Sequence, residues 1–389
     1  MRSFVKVPSV VLVLSMFGCT TSVPAIDAGA VGDSGAGVDA GQDAAVVDAS
    51  TIDVGIDVGV DAAAACSATN CTGAHACVRG VCVATCGGDL SGFGAALATG
   101  LVVEGTVCHT PAALSYAGGQ MYELTNATTG RVTTFTLSRW TPGTAMPTLT
   151  TIGTAQYTAA ASSTMVFTGG YVAVAPDQMH VLFGYTTNLA GYVGGVFDLA
   201  TGSGTATQVP AASNYDADFT DATHYVVNAA PSTGQGVYRA STSDTALTKV
   251  VSHVGDASGD VALWSAGGVV LAGGNAFATP WPDGMMGDRV LVLDPAMLAS
   301  ATTPIDGATV QHLVMPSSFE LISGDRAASV HYDSSFAVDA IDARALTHTG
   351  STVMVGAPMH LATGTLFTGV TSAGASIVLT FANGLLFVH

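Results

Sequence analysis

Basic residues are scarce in this 389-residue chain: two lysines (Lys6 and Lys249) and eight arginines stand against 28 acids, leaving a formal net charge of −18. Such a surface repels phosphate backbones and anionic lipid headgroups, so nucleic acid is excluded as a main partner. Glutamate is almost missing too, with only Glu104, Glu123 and Glu320, so carboxylate chemistry would fall to aspartate. Without Glu and Lys, and with abundant Gly, Thr and Val, the chain is a poor source of surface helices and reads as all-β. No G-x-S-x-G, H-E-x-x-H or G-x-x-x-x-G-K-[ST] motif occurs. No apolar run reaches the length of a membrane-spanning helix.

The longest such run, Val7 to Phe17, follows Arg2 and Lys6 and ends in Gly18-Cys19-Thr20. A basic start, a short apolar stretch and a small residue make an export signal over residues 1–18. The ending resembles the lipobox of bacterial lipoproteins, with Met16 and Phe17 departing from its usual residues. The resemblance implies that Cys19 is lipidated, that the lipid is the contact with the membrane, and that the protein is sorted to the outer membrane. Removing Cys19 leaves six cysteines, Cys66, Cys71, Cys77, Cys82, Cys86 and Cys108, an even set that reads as disulfides in an exported chain.

Residues 19–65 contain eight aspartates and neither a cation nor an aromatic residue, so they cannot bury enough surface to order themselves and read as a disordered tether. Residues 66–86 crowd five cysteines into a segment expected to be held by its bridges. Spacing suggests Cys66, Cys71, Cys77 and Cys82 paired among themselves, in any of three ways, and Cys86 joined to Cys108.

From residue 87 to 389 short strands recur around turns of Gly or Asp. Taking Gly119, Asp177, Asp221, Gly267, Asp325 and Gly364 as markers, the units are 39 to 58 residues apart. That period predicts a β-propeller of six to seven blades. Val174-Ala175-Pro176-Asp177 and Val196-Phe197-Asp198-Leu199-Ala200-Thr201-Gly202 resemble the blade motif of bacterial surface propellers of the YVTN and lactonase-like kind. The chain should close by pairing strands near its two ends, Leu101–Val107 with Gly384–His389.

Three site readings follow. Asn214, Asp216, Asp218 and Asp221 approach the spacing of a calcium loop, with Phe219 where a turn glycine is wanted. The pairs Asp177/His180 and Asp221/His224 read as turn aspartates followed by a strand-opening histidine. The insertion Asn275–Asp288 sets Trp281 between Pro280 and Pro282, near Met285, as a prong for a ligand such as a surface protein or glycan; the alternative is that Trp281 packs inward. The functional expectation is a displayed binding or adhesion module. A propeller enzyme, such as a metal-dependent lactonase, and an envelope scaffold are the alternatives.

Overall fold

The computed structural model describes Cys66 and residues 71–389 apart from 144–146, 159–166, 188–191, 210–213, 230–233, 253–258, 277–279, 282–283 and 336. Cys19, the signal and the tether lie outside the described residues, as does Pro282.

The described residues form six antiparallel sheets of four strands, one carrying a fifth, arranged as a six-bladed β-propeller. Blade 1 spans 113–158, blade 2 spans 167–208, blade 3 spans 214–252, blade 4 spans 261–313 and blade 5 spans 320–363. Blade 6 takes three strands from 367–388 and its outermost strand, Val103–Val107, from the other end of the chain. Leu385 pairs with Val107 and Val388 with Val103, so the first strand closes the last blade. Closure leaves no open edge between first and last blades, which would otherwise invite association.

Five of the six turn markers fall between the first and second strands of a blade. Gly364 does not: it follows the outermost strand of blade 5, Thr352–Thr363, and the corresponding turn of blade 6 is at Gly374 (φ 66°). Thr363-Gly364 and Ala373-Gly374 both look like turns in sequence; strand pairing decides which is which.

Apolar residues alternate so that each sheet packs both neighbours. Phe135, Phe183, Tyr185 and Phe197 fill the space between blades 1 and 2, and Val270, Leu291 and Leu293 pack the space between blades 3 and 4. The connection after the third strand of blade 4 contributes a short helix, Pro295–Ser300, capped by Asp294. It then adds Ile305–Asp306 as a parallel fifth strand to blade 3.

The cysteine-rich segment is a hairpin, His75–Val78 and Val81–Ala84, with Arg79 (φ 49°) and Gly80 (φ 85°) at its two-residue turn. Disulfides join Cys66–Cys77, Cys71–Cys82 and Cys86–Cys108. The segment is not held by its bridges alone. Val78 and Val83 share one apolar cluster with Phe93, Leu97, and Ile341, Leu361, Phe367 and Phe381 of blades 5 and 6. Phe93 meets Phe367 and Phe381 edge-on, and the Arg79 guanidinium donates to the carbonyls of Gly94, Leu97, Ala98 and Leu101. The module is thereby built into the ring between its last two blades.

Candidate functional site

The innermost strand of a blade has one edge without a β partner. In blade 4 the amides of Val261 and Leu263 at that edge are taken by carboxylates of blade 3: Asp216 Oδ2 accepts from Val261 N at 3.0 Å and Asp218 Oδ2 from Leu263 N at 2.7 Å. The device repeats around this side of the ring. Asp260 Oδ2 accepts from Phe319 N and Ser318 Oγ of the next blade, and Glu320 Oε1 from Thr371 Oγ1 of the one after. Asp216, Asp218 and Asp260 satisfy amides that would otherwise be orphaned, and Glu320 takes a hydroxyl.

The calcium reading of Asn214, Asp216, Asp218 and Asp221 needs its acids to face one ion, and Asp216, Asp218 and Asp221 are bonded elsewhere, while the Asn214 side chain lies outside the described residues. Residues 214–219 form a strand, not a ligand loop, and Phe219 is buried in the core rather than standing at a turn. Asp216 and Asp218 point the same way, into blade 4. Asp221 lies beyond the strand, where it accepts from the amides of Thr223 and His224 and pairs with His224 Nδ1 at 2.9 Å. Among the described residues these acids do not converge on one ion. Asp177 likewise accepts from Met179 N, and His180 opens the next strand.

Burial pushes the Asp218 carboxyl up to about 7, with the nearby charge of Glu320 adding to the shift and the bonds from Leu263 N and Phe219 N opposing it. Asp218 thus carries a proton part of the time near neutral pH, inside the ring.

All three glutamates are committed to junctions. Glu104, on the closing strand, accepts from Ser376 Oγ at 2.6 Å and meets His389 Nδ1 at 2.9 Å. Glu123 is fully buried between His109 Nε2 and Trp140 Nε1, each at 2.9 Å. Composition singled out these residues only as rare. A rare, buried acid in a β protein must have a donor nearby, and that was the available signal.

The insertion in blade 4 is the remaining candidate. Trp281 is not a prong: it is 1% exposed, its indole donates to Gly287 O at 2.7 Å, and its ring lies 5.0 Å from that of His312. The inward alternative holds because the indole packs with Val270, Leu291 and Leu298 in the core between blades 3 and 4. Its backbone closes a turn, with Trp281 N donating to Met285 O and Gly284 N to Trp281 O. What this turn exposes is Met285 (58%) and Met286 (48%), with Pro280 also at the surface. Val314 (69% exposed) follows Leu313, the partner of Val290, at the end of the outermost strand of the blade. The backbone bonds to Met285 and Gly284 tie the turn that carries the two methionines to the buried Trp281.

No family model and no curated protein matches the sequence. Among solved structures, TolB from Acinetobacter baumannii is similar at 12% identity over 63% of this chain and 53% of that one, with a TM-score of 0.39. The periplasmic gluconolactonase PpgL of Pseudomonas aeruginosa is similar at 12% identity over 71% and 80%, TM-score 0.38. AofleA from Arthrobotrys oligospora is similar at 11% identity over 74% and 84%, TM-score 0.42. The chain spans about half the length of the first of these. None of them bears on what this chain does.

Proposed function

We propose that the chain is an exported, lipid-anchored propeller that binds a partner protein through the loop face of blade 4. The carrying observation is the pair of exposed methionines, Met285 and Met286, on a turn whose backbone is tied to the buried Trp281. Methionines present a soft, adaptable apolar contact suited to protein surfaces. With Trp281 turned inward, this surface lacks the aromatic platform on which a sugar would stack. Three disulfides support an oxidising compartment, and the ending Gly18-Cys19 supports a lipid anchor at the outer membrane.

A photo-crosslinking residue at Met286 should yield a defined adduct on intact cells that is abolished by Met285→Asp, while the same group at Met297 yields none. Equal adducts from both positions would refute the surface. Separately, Cys19→Ser should move the protein to the soluble fraction; recovery with the membrane would refute the anchor.

A further inference from the structure

A cleft of about 180 Å³ opens between blades 1 and 2, where their third strands end. Phe197, which is 1% exposed, and Ile152 belong to the core between these blades and give the cleft an apolar base. Gly204 O accepts from Thr154 N at 2.9 Å and Thr154 pairs with Thr205, so the link after the third strand of blade 2 is fastened across to the outermost strand of blade 1. Gly202 (φ 61°), also in the lining, keeps that link free of a side chain. Links from third to fourth strands leave a blade on the face opposite to links from second to third, so this cleft is remote from Met285 and Met286.

Two observations separate the cleft from an ordinary surface hollow. First, Phe135, Leu137 and Arg139 follow one another at every second position of the third strand of blade 1, on the side that packs against blade 2. The row changes from apolar to guanidinium where the cleft begins, and the sheet shifts register between Leu137 and Ser138 just before it. Second, Arg139 has no ion pair or hydrogen bond among the described residues, in a chain whose formal net charge is −18. Arg79, Arg239, Arg289 and Arg326 each donate to a backbone carbonyl. Asp198 lines the same cleft without reaching Arg139: its Oδ1 accepts from Ala200 N and Thr201 N, and its Oδ2 takes no bond from a described residue. A cation and an anion are thus held apart over one apolar base.

We propose that this cleft binds a free α-amino acid with an apolar side chain. The planar fork of Arg139 matches the ligand carboxylate, Asp198 Oδ2 accepts from the ammonium, and the side chain lies against Phe197 and Ile152. The volume is below the roughly 300–1,000 Å³ of sites for drug-sized molecules, so the ligand is small. Charge selects it further. A phosphate or dicarboxylate would meet Asp198 and the acidic surface, and a simple amine would leave Arg139 unanswered. A dipolar ion satisfies both groups and, being neutral as a whole, is not repelled by the chain.

The test is calorimetric titration of the full chain with L-leucine, beside L-leucinamide, which lacks the carboxylate, and 4-methylpentanoate, which lacks the amine. One L-leucine per chain is expected, with both comparators weaker. Arg139→Gln should weaken L-leucine by roughly tenfold or more, as loss of a hydrogen bond to a charged group does, and should leave the melting temperature unchanged because the side chain is exposed and unpaired. Asp198→Asn keeps an acceptor for Ala200 N and Thr201 N; it should weaken L-leucine similarly and leave 4-methylpentanoate no weaker. Arg344→Gln, at another arginine without a described bond, should change nothing. Absence of saturable L-leucine binding by the wild type, L-leucinamide binding as tightly as L-leucine, or L-leucine binding indifferent to Arg139→Gln would overturn the site.

Discussion

His109 and Glu123 meet where the closing strand hands over to blade 1, with Nε2 2.9 Å from Oε1 and 2.8 Å from Oε2. Trp140 takes the second oxygen from the other side. The carboxylate is fully buried while the imidazole is about one-quarter exposed, so the pair is a plug with one wet end.

That pair makes stability depend on pH. The hydrogen bond to Glu123 raises the His109 pKa, against the opposing effect of burial. A histidine raised on folding contributes its full stabilisation below its unfolded value of about 6.5 and loses it as pH rises through the folded value. Melting temperatures measured from pH 6 to 9 should therefore fall more steeply in the wild type than in His109→Gln. Parallel curves would disprove the coupling. His109→Leu should cost about 3 kcal/mol at pH 6, because it strands a buried carboxylate.

Asp218 acts in a different window. Its carboxyl is raised to about 7 by burial, so the folded chain holds a proton that the unfolded chain gives up near pH 4. Stability is greatest below the unfolded value, declines as pH rises toward 7, and levels off above it. Asp218→Asn should flatten this decline in denaturation experiments between pH 4 and 7. It should also lower stability at pH 4 by about 1–2 kcal/mol, since one amide cannot accept from both Leu263 N and Phe219 N. A decline that persists in the variant would assign it to other groups.

Trp281→Ala should destabilise the ring by about 3–5 kcal/mol in chemical denaturation, the cost of emptying a packed aromatic site. A loss below 1 kcal/mol would contradict its role as the anchor of the blade 4 turn.

Deleting residues 384–389 removes the strand that pairs with both Ser376–Phe381 and Val103–Val107. This truncation should lower the melting temperature by well over 10 °C, whereas deleting residues 20–65 should leave it within a degree or two. Equal melting temperatures would refute closure by this pairing.

The fold was legible because a propeller repeats itself: the Gly or Asp turn between first and second strands recurs often enough to count blades, and the two strands that close the ring stand alone at its ends. Gly364 misled because composition cannot tell a turn within a blade from a link between blades. The site was less legible. Asp216 and Asp218 have the sequence of a cation loop, but their alternation along a strand aims both at amides of a neighbour 45 residues away. Trp281 has the sequence of a prong, and only the pocket beneath it, with Gly287 and His312, reveals that it points inward.

The closing strand also sets a schedule. At roughly 5–20 residues per second of synthesis, residues 384–388 appear about 15–60 s after residues 103–107. Until then the first strand has no partner, and Glu104 waits for His389, 285 positions downstream. What can form first, once the cysteines reach an oxidising compartment, is local: the bridges Cys66–Cys77 and Cys71–Cys82, each spanning 11 residues, and Cys86–Cys108, spanning 22. The last of these ties the waiting strand to the cysteine-rich hairpin, so the start of the chain is fastened early as a landing place for its end. The ring is a clasp whose fixed half is made first.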